Sequence, residues 1–302
     1  MLKPLFKWTG GKNRMMKKYD TDFWPDRQVS VFVDAFYGGG AVTHWAWEKY
    51  PNAHFVINDA NEELIQLYTM LRDETEAFIE EVANLEQNYL KVDHTDNAER
   101  KVFYNKVKMD YIDHWKTMGD LRESATLYFL MKTSFNGWWK VYNYSHGRYA
   151  TPPGTVHHKE YFIDKELLRT TANFLNERVT LMCGDFENVK TFADTTDASN
   201  TYFYFDPPYR DSTTKYTTDG FDDTDQIRLC ELMQYCDMKG GMVSMSNKEI
   251  GDGFWYNHVG NMEILEYDAK YTAGRGTTTN DVKEVLIRNF ASKQSPLTNL
   301  FE

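Results

Sequence analysis

Cysteine, positive charge and long apolar runs are all scarce in this chain, and each scarcity removes a class of protein. Three cysteines in 302 residues, Cys183, Cys230 and Cys236, are too few and too unevenly spaced for a disulfide framework or a four-thiolate zinc site. That favours a reducing, cytoplasmic setting. No stretch approaches the ~18 apolar residues of a membrane span, and residues 1–7 lack the apolar centre of a secretory signal. His146, His157 and His158 have no companions at metal-ligand spacing, so no metal is expected. With 34 Lys plus Arg against 45 Asp plus Glu, the net charge is −11. Such a balance opposes coating nucleic acid or anionic membrane with the whole surface, yet leaves room for one local basic face. What the chain does have is 41% hydrophobic and 16% aromatic content, which a disordered acidic segment lacks. One large or two ordinary globular domains are expected.

Two segments read as buried strands running into turns, the pattern of a doubly wound α/β sheet. Residues 31–33 are apolar and partly β-branched, residues 34–40 punctuate them with three glycines, and 41–48 can continue as helix. A second strand at 54–57 ends at Asn58-Asp59, after which Leu64, Leu67, Tyr68 and Leu71 recur at helical spacing. Strand patterns return at 179–182, 202–205, 241–245, 262–267 and 282–287. Between the two sets lies a mainly helical insertion, taken as 61–170, dividing a catalytic domain into parts 1–60 and 171–302. From 74 to 122 it is charged and helix-favouring, with Phe78, Val82, Leu85 and Tyr89 on one face. From Ser124 to Lys159 it has no acidic residue while aromatics and basic residues interleave, and residues 147–154 read as loop. The remaining acidic residues are expected mostly on a solvated face.

A glycine turn after a strand lets backbone approach a ligand closely, and at a helix start it offers N–H groups to an anion. Phe36-x-Gly38-x-Gly40 is such a turn, although the same spacing serves as an ordinary structural bend. Asp59, ending the second strand about 20 residues on, suits ribose hydroxyls, with a helix cap as the alternative role. The segment Lys7-Trp8-Thr9-Gly10-Gly11-Lys12 falls short of a phosphate loop, since Phe6 stands where a glycine is required and Asn13 where a magnesium-binding hydroxyl belongs. A nucleoside triphosphatase is therefore not expected. A ligand contact and a basic turn remain open.

Asp206-Pro207-Pro208-Tyr209, after the aromatic strand 202–205, carries the most chemistry. Two prolines restrict φ and lack N–H groups, so the loop is stiff and rich in acceptors. A nucleobase exocyclic amine is a poor nucleophile because its lone pair is delocalised into the ring. Two acceptors, the Asp206 carboxylate and the Pro207 carbonyl, could hold its N–H bonds and favour a pyramidal nitrogen, most strongly in a dry, preorganised site. Tyr209 would stack on a base flipped out of the duplex. The bland alternative is a turn followed by a core aromatic. In a doubly wound sheet, however, the carboxyl ends of strands converge on one crevice, where this loop and the glycine turn can meet.

The order Phe36-x-Gly38-x-Gly40, long insertion, Asp206-Pro207-Pro208-Tyr209 resembles the amino methyltransferases that modify DNA. The closer likeness is to the Dam-like adenine-N6 family of the D12 class. Lys7 to Lys12 resembles its Lys-Trp-Ala-Gly-Gly-Lys signature, and Ile57-Asn58-Asp59-Ala60-Asn61 is similar to its acidic second-strand motif. Cys183-Gly184-Asp185-Phe186, Ser246-Asn247 and Lys283-Glu284-Val285-Leu286 resemble three further signatures, so the likeness spans nearly the whole chain in the family's order. It implies a Rossmann-like sheet and S-adenosylmethionine bound by Trp8, Lys12, Asp34, Phe36, Gly38, Gly40, Asp59, Asp185 and Asp206. It also implies direct methyl transfer to adenine N6 at Asp206 to Tyr209, and target recognition by the insertion. Ala35 stands where the family usually has Pro and Thr9 where it has Ala, and residues 142–153 form a shorter stretch than its usual sequence-reading hairpin.

The insertion reads the same way from its residues alone. Lys132, Lys140 and Arg148 could neutralise phosphates, Arg148, Asn136 and Asn143 could pair with base edges, and the neighbouring rings could stack on or wedge between bases. Core packing is the competing role for any one ring. The expected function is thus a double-stranded DNA adenine-N6 methyltransferase. Alternatives are transfer to cytosine N4 or to an RNA or protein amide, or a silent DNA-binding regulator that keeps the cofactor fold. The oligomeric state is unassigned, with a monomer as the default.

Overall fold

The computed structural model describes residues 2–8, 12, 15–92, 97–154, 161–195, 197–210, 220–272 and 279–291. Thr9 to Gly11, His157 and His158 lie outside them. In chain order the elements are α1 (Met16–Phe23), β1 (Val31–Asp34), α2 (Ala41–Lys49), β2 (His54–Asp59), α3 (Glu62–Asp73), α4 (Thr75–Lys91), α5 (Asn97–Asp113), α6 (Asp120–Thr133) and α7 (Lys165–Arg178). There follow β3 (Val179–Cys183), α8 (Lys190–Thr195), β4 (Thr201–Phe205), α9 (Asp223–Met238), β5 (Met242–Glu249), α10 (Phe254–His258), β6 (Glu263–Thr272) and β7 (Thr279–Arg288). Among the described residues no helix is long and apolar enough to cross a membrane.

The strands form one seven-stranded sheet in the order β3-β2-β1-β4-β5-β7-β6. The first five are mutually parallel, and β7 runs antiparallel to both β5 and β6. Because side chains alternate along a strand, Phe32, Phe55, Ile57, Tyr202 and Tyr204 enter one apolar layer. Their neighbours Val33, Val56, Phe203 and Phe205 enter the other. Helices α1, α2, α3, α6 and α7 contribute to the first layer, α8, α9 and α10 to the second. This is the doubly wound Rossmann-like arrangement expected. The last strands run further than the apolar pattern, because the β6–β7 hairpin extends through polar residues up to Thr272 and Thr279.

The insertion, taken as 61–170, carries α3, α4, α5 and α6 and the start of α7. Helix α6 is buried on every side from Glu123 to Met131, as a helix packed centrally among α3, α4 and α5 must be. Its core is continuous with that of the sheet: Phe6, Tyr68, Phe78 and Tyr128 belong to one cluster with Phe32 and Tyr202. Not all acidic residues meet solvent. Glu63, Glu86, Glu123 and Glu284 are buried. Glu86 accepts from the Phe162 and Ile163 N–H groups, at 2.6 and 2.8 Å, closing the insertion onto the segment that leads into α7.

Candidate active site

From β1 the chain winds outward through β2 and β3, then returns to place β4 on β1's other side. The crevice of a doubly wound sheet lies at such a reversal, beyond the carboxyl ends of the strands. Asp34 ends β1, Asp59 ends β2 and Asp206 follows β4, so three carboxylates converge there.

The glycine turn is built from both ends. The Phe36 N–H donates to Asp34 Oδ1 at 3.3 Å and the Thr43 hydroxyl to Asp34 Oδ2 at 2.6 Å, so Asp34 braces the turn onto α2 with both oxygens. Burial, opposed by Thr43, pushes its carboxyl up to about 7. Asp59 accepts from the Gly38 N–H at 2.8 Å and the Asn61 N–H at 2.9 Å. The cap of α3 is Asn61, whose side chain accepts from the Leu64 N–H, so Asp59 serves the turn instead. Burial raises the Asp59 carboxyl. Gly38 and Gly40 have φ of +51° and +72°. A Cβ on Gly38 would lie 2.6 Å from Trp8 Nε1, and one on Gly40 2.5 Å from the Tyr37 hydroxyl. The indole of Trp8 thus lies directly on the turn, and glycine is what lets it approach.

Asp206 is tethered from two sides. Lys12 Nζ lies 2.5 Å from its Oδ1, with side-chain exposures of 5% and 21%, and the Ser246 hydroxyl donates to the same oxygen at 3.1 Å. Burial raises the Asp206 carboxyl while Lys12 opposes the rise. The Lys12 ammonium also lies 4.6 Å from the centre of the Tyr209 ring. Among the described residues, Asp206 Oδ2 and the Pro207 carbonyl accept no hydrogen bond, whereas the Pro208 carbonyl accepts from Gln226 Nε2 at 2.8 Å. Tyr209's hydroxyl reaches Glu284 Oε2 at 3.4 Å, and Tyr19's reaches the same oxygen at 2.7 Å.

Beside the turn, Phe36 stacks on Phe186 at 5.5 Å and meets Phe221 edge-on at 5.7 Å. Asp185 accepts from the Glu187 N–H and pairs with Arg228 at 3.1 Å, so it is engaged locally at the rim of this aromatic group. Phe186, Phe221 and Glu284 were not singled out individually in the sequence. Glu284 lies in a signature read only as a closing strand, and its contact with Tyr209 comes from the pairing of distant strands, whereas Phe221 stands in no recognised motif.

The insertion's candidates divide. Asn136, at φ +56°, and Asn143 are exposed, and Lys140 lies over Trp138 at 4.6 Å. Lys132 turns inward and donates to the Leu5 carbonyl at 3.3 Å, its ammonium lowered by burial. Arg148 lies 3.6 Å from Glu62 and 4.5 Å from the Trp115 ring. The turn bearing Asn136 packs on the N-terminal segment: a Cβ on Gly137 would meet the Lys7 carbonyl at 2.4 Å. Trp139 and Tyr149 are core, whereas Tyr142 and Tyr144 stack on each other at 5.5 Å and are 38% and 49% exposed.

These residues suit a cofactor made of a nucleoside and a charged amino-acid tail. Half-buried Asp59 and exposed Asp185 can accept from hydroxyl or amine groups, the Phe36–Phe186 pair offers a stacking face, and Lys12, already paired with Asp206, adds positive charge nearby.

Type II methyltransferase M.MjaIII of Methanocaldococcus jannaschii is 30% identical over 304 residues, covering 96% of this chain and 99% of that one. Type II methyltransferase M1.LlaDCHI of Lactococcus lactis subsp. cremoris is 28% identical over 308 residues, with 96% of each chain covered. The DNA adenine methylase of Vibrio cholerae serotype O1 is 27% identical over 253 residues, covering 80% of each. The family model for the D12 class N6 adenine-specific DNA methyltransferase matches residues 8–273. With that match spanning both the glycine turn and the Asp206 loop, the chain belongs to the D12 class of N6 adenine-specific DNA methyltransferases.

Proposed function

We propose that the crevice transfers a methyl group from S-adenosylmethionine to N6 of an adenine extruded from duplex DNA, with Asp206 to Tyr209 as the catalytic loop. Trp8, Lys12, Phe36, Asp59 and Asp185 would hold the cofactor, and Gly38 and Gly40 would let backbone and indole close around it. When bound, that cofactor supplies an electrophilic methyl carbon on a sulfonium. The observation that carries this reading is the state of the loop's acceptors. Asp206 Oδ1 and the Pro208 carbonyl are anchored within the protein, which leaves Asp206 Oδ2 and the Pro207 carbonyl to accept the two N–H bonds of one amine. Held so, the nitrogen lone pair leaves conjugation with the ring and points away from both acceptors. Tyr209 presents a face to the base. Pro207 and Pro208 keep these groups from moving as the bond forms.

The insertion would bring the DNA, with exposed Asn136 and Asn143 and half-buried Lys140 as contacts; the DNA substrate supports a cytoplasmic location. The test is transfer of labelled methyl from S-adenosylmethionine into unmethylated duplex DNA, followed by digestion to nucleosides. Label in N6-methyl-2′-deoxyadenosine is expected. Label in N4-methyl-2′-deoxycytidine, or none, would overturn the reading.

A further inference from the structure

Prolines fix φ but leave ψ free. In Asp206-Pro207-Pro208-Tyr209, ψ of Pro208 sets the direction of its carbonyl, and ψ of Tyr209 sets the direction of the Arg210 N–H. Both groups are held from behind. The Pro208 carbonyl accepts from Gln226 Nε2 at 2.8 Å and the Arg210 N–H donates to Asn247 Oδ1 at 3.2 Å. Asn247 Nδ2 donates to Gln226 Oε1 at 3.2 Å, which closes the network. Gln226 and Asn247 are 1% and 0% exposed.

The side chain that pins this arrangement is Arg210, itself 6% exposed. Its Nε and Nη2 each donate to Asp223 at 2.8 Å, and its Nη1 and Nη2 donate to Asp252 at 3.0 and 2.8 Å. The guanidinium lies 3.8 Å from the centre of the Phe254 ring. One planar cation therefore joins the end of the tetrapeptide to the start of α9, through Asp223, and to the start of α10, through Asp252 and Phe254. A lysine cannot span both carboxylates with this geometry, because it is a point charge without a fork.

Resting on the methyl-transfer reading above, we propose that the Arg210 side chain, by anchoring its own backbone to α9 and α10 beside the Asn247–Gln226 network, is a positioning residue that sets the Pro208–Tyr209 peptide and the Tyr209 ring for reaction. It touches neither substrate nor cofactor. Its effect arises because a displacement of about 1 Å at the reacting atoms costs on the order of a hundredfold in rate.

The test is steady-state transfer of labelled methyl into unmethylated plasmid DNA by the full chain and by Arg210→Lys, Gln226→Met, their double variant and Asp252→Asn. Calorimetry with S-adenosylmethionine and melting curves accompany it. Arg210→Lys is expected to lower kcat by about 30-fold or more. KM for DNA and the cofactor Kd should stay within about threefold, with melting temperature near that of the native chain. The double variant should lose no more than about threefold beyond the worse single one, as residues acting as a unit do. Asp252→Asn, altered at one of the clamp's two exposed carboxylates, should fall between. A kcat within threefold of native in Arg210→Lys, or losses that multiply in the double variant, would overturn the proposal. So would a fall in kcat matched by an equal weakening of cofactor and DNA binding. If the native chain methylates no DNA, the functional reading itself has failed and the proposal falls with it.

Discussion

The Lys12 ammonium lies 2.5 Å from the Asp206 carboxylate and 4.6 Å from the centre of the Tyr209 ring, closing the N-terminal segment onto the loop that follows β4. Two segments nearly two hundred residues apart thereby share one ion pair. Because Lys12 occupies Asp206 Oδ1, the other oxygen, Oδ2, is the one assigned above to the target amine.

That pair fixes the pH behaviour of the site. Burial raises the Asp206 carboxyl and Lys12 opposes it. In Lys12→Met the opposition is lost, the carboxyl rises further, and the ionised form requires a higher pH. The acid limb of kcat/KM should move to higher pH. An unmoved limb, or one shifted to lower pH, would contradict the role given to Lys12.

The glycine turn makes a steric prediction. Gly38→Ala asks a residue with a Cβ to adopt φ +51° with that atom 2.6 Å from Trp8 Nε1. The expected loss is about 1–2 kcal/mol from backbone strain alone. Displacement of the indole should weaken S-adenosylmethionine binding at least about tenfold, read by calorimetry. Native cofactor affinity with a shifted melting temperature would leave Trp8 a purely structural role.

Much of the fold was legible because apolar strands end at turn residues. The runs before Asp34, Asp59 and Asp206 gave three adjacent strands, and the reversal between β1 and β4 then placed all three carboxylates in one crevice. What escaped depends on packing between distant segments. Nothing local distinguishes Glu63 from the solvated carboxylates around it, yet it accepts from the Tyr111 hydroxyl at 2.5 Å and the Tyr149 N–H at 3.1 Å. Lys132 reads as a phosphate contact only until the N-terminal segment folds against it, when the Leu5 carbonyl takes its ammonium. Arg210 likewise meets partners 13 and 42 residues away.

Lys132 and Lys140 should consequently behave differently toward DNA. Lys140→Ala is expected to weaken binding across sequences and to reduce the slope of log affinity against log salt by about one. Lys132→Met should leave that slope unchanged and alter only stability. Equal salt slopes for the two variants would contradict the division.

Buried Glu63 gives stability a pH dependence. Burial pushes its carboxyl up to about 7 from 4.5, so the folded state holds a proton that the unfolded state releases. Its stabilising contribution is present below pH 4.5 and is lost as pH rises through about 7. Glu63→Gln mimics the protonated form. Relative to the native protein, this variant should gain stability between pH 5 and 8, by up to about 3 kcal/mol at 1.36 kcal/mol per pK unit. Denaturant melts across that range check the sign, and a variant that loses ground with rising pH would refute it.

The most direct measurement compares the native chain with Asp206→Ala for two quantities on one unmethylated duplex: labelled methyl reaching adenine, and DNA affinity. The account predicts transfer abolished in the variant with DNA affinity within about threefold of native. Transfer at a comparable rate without the carboxylate would contradict it.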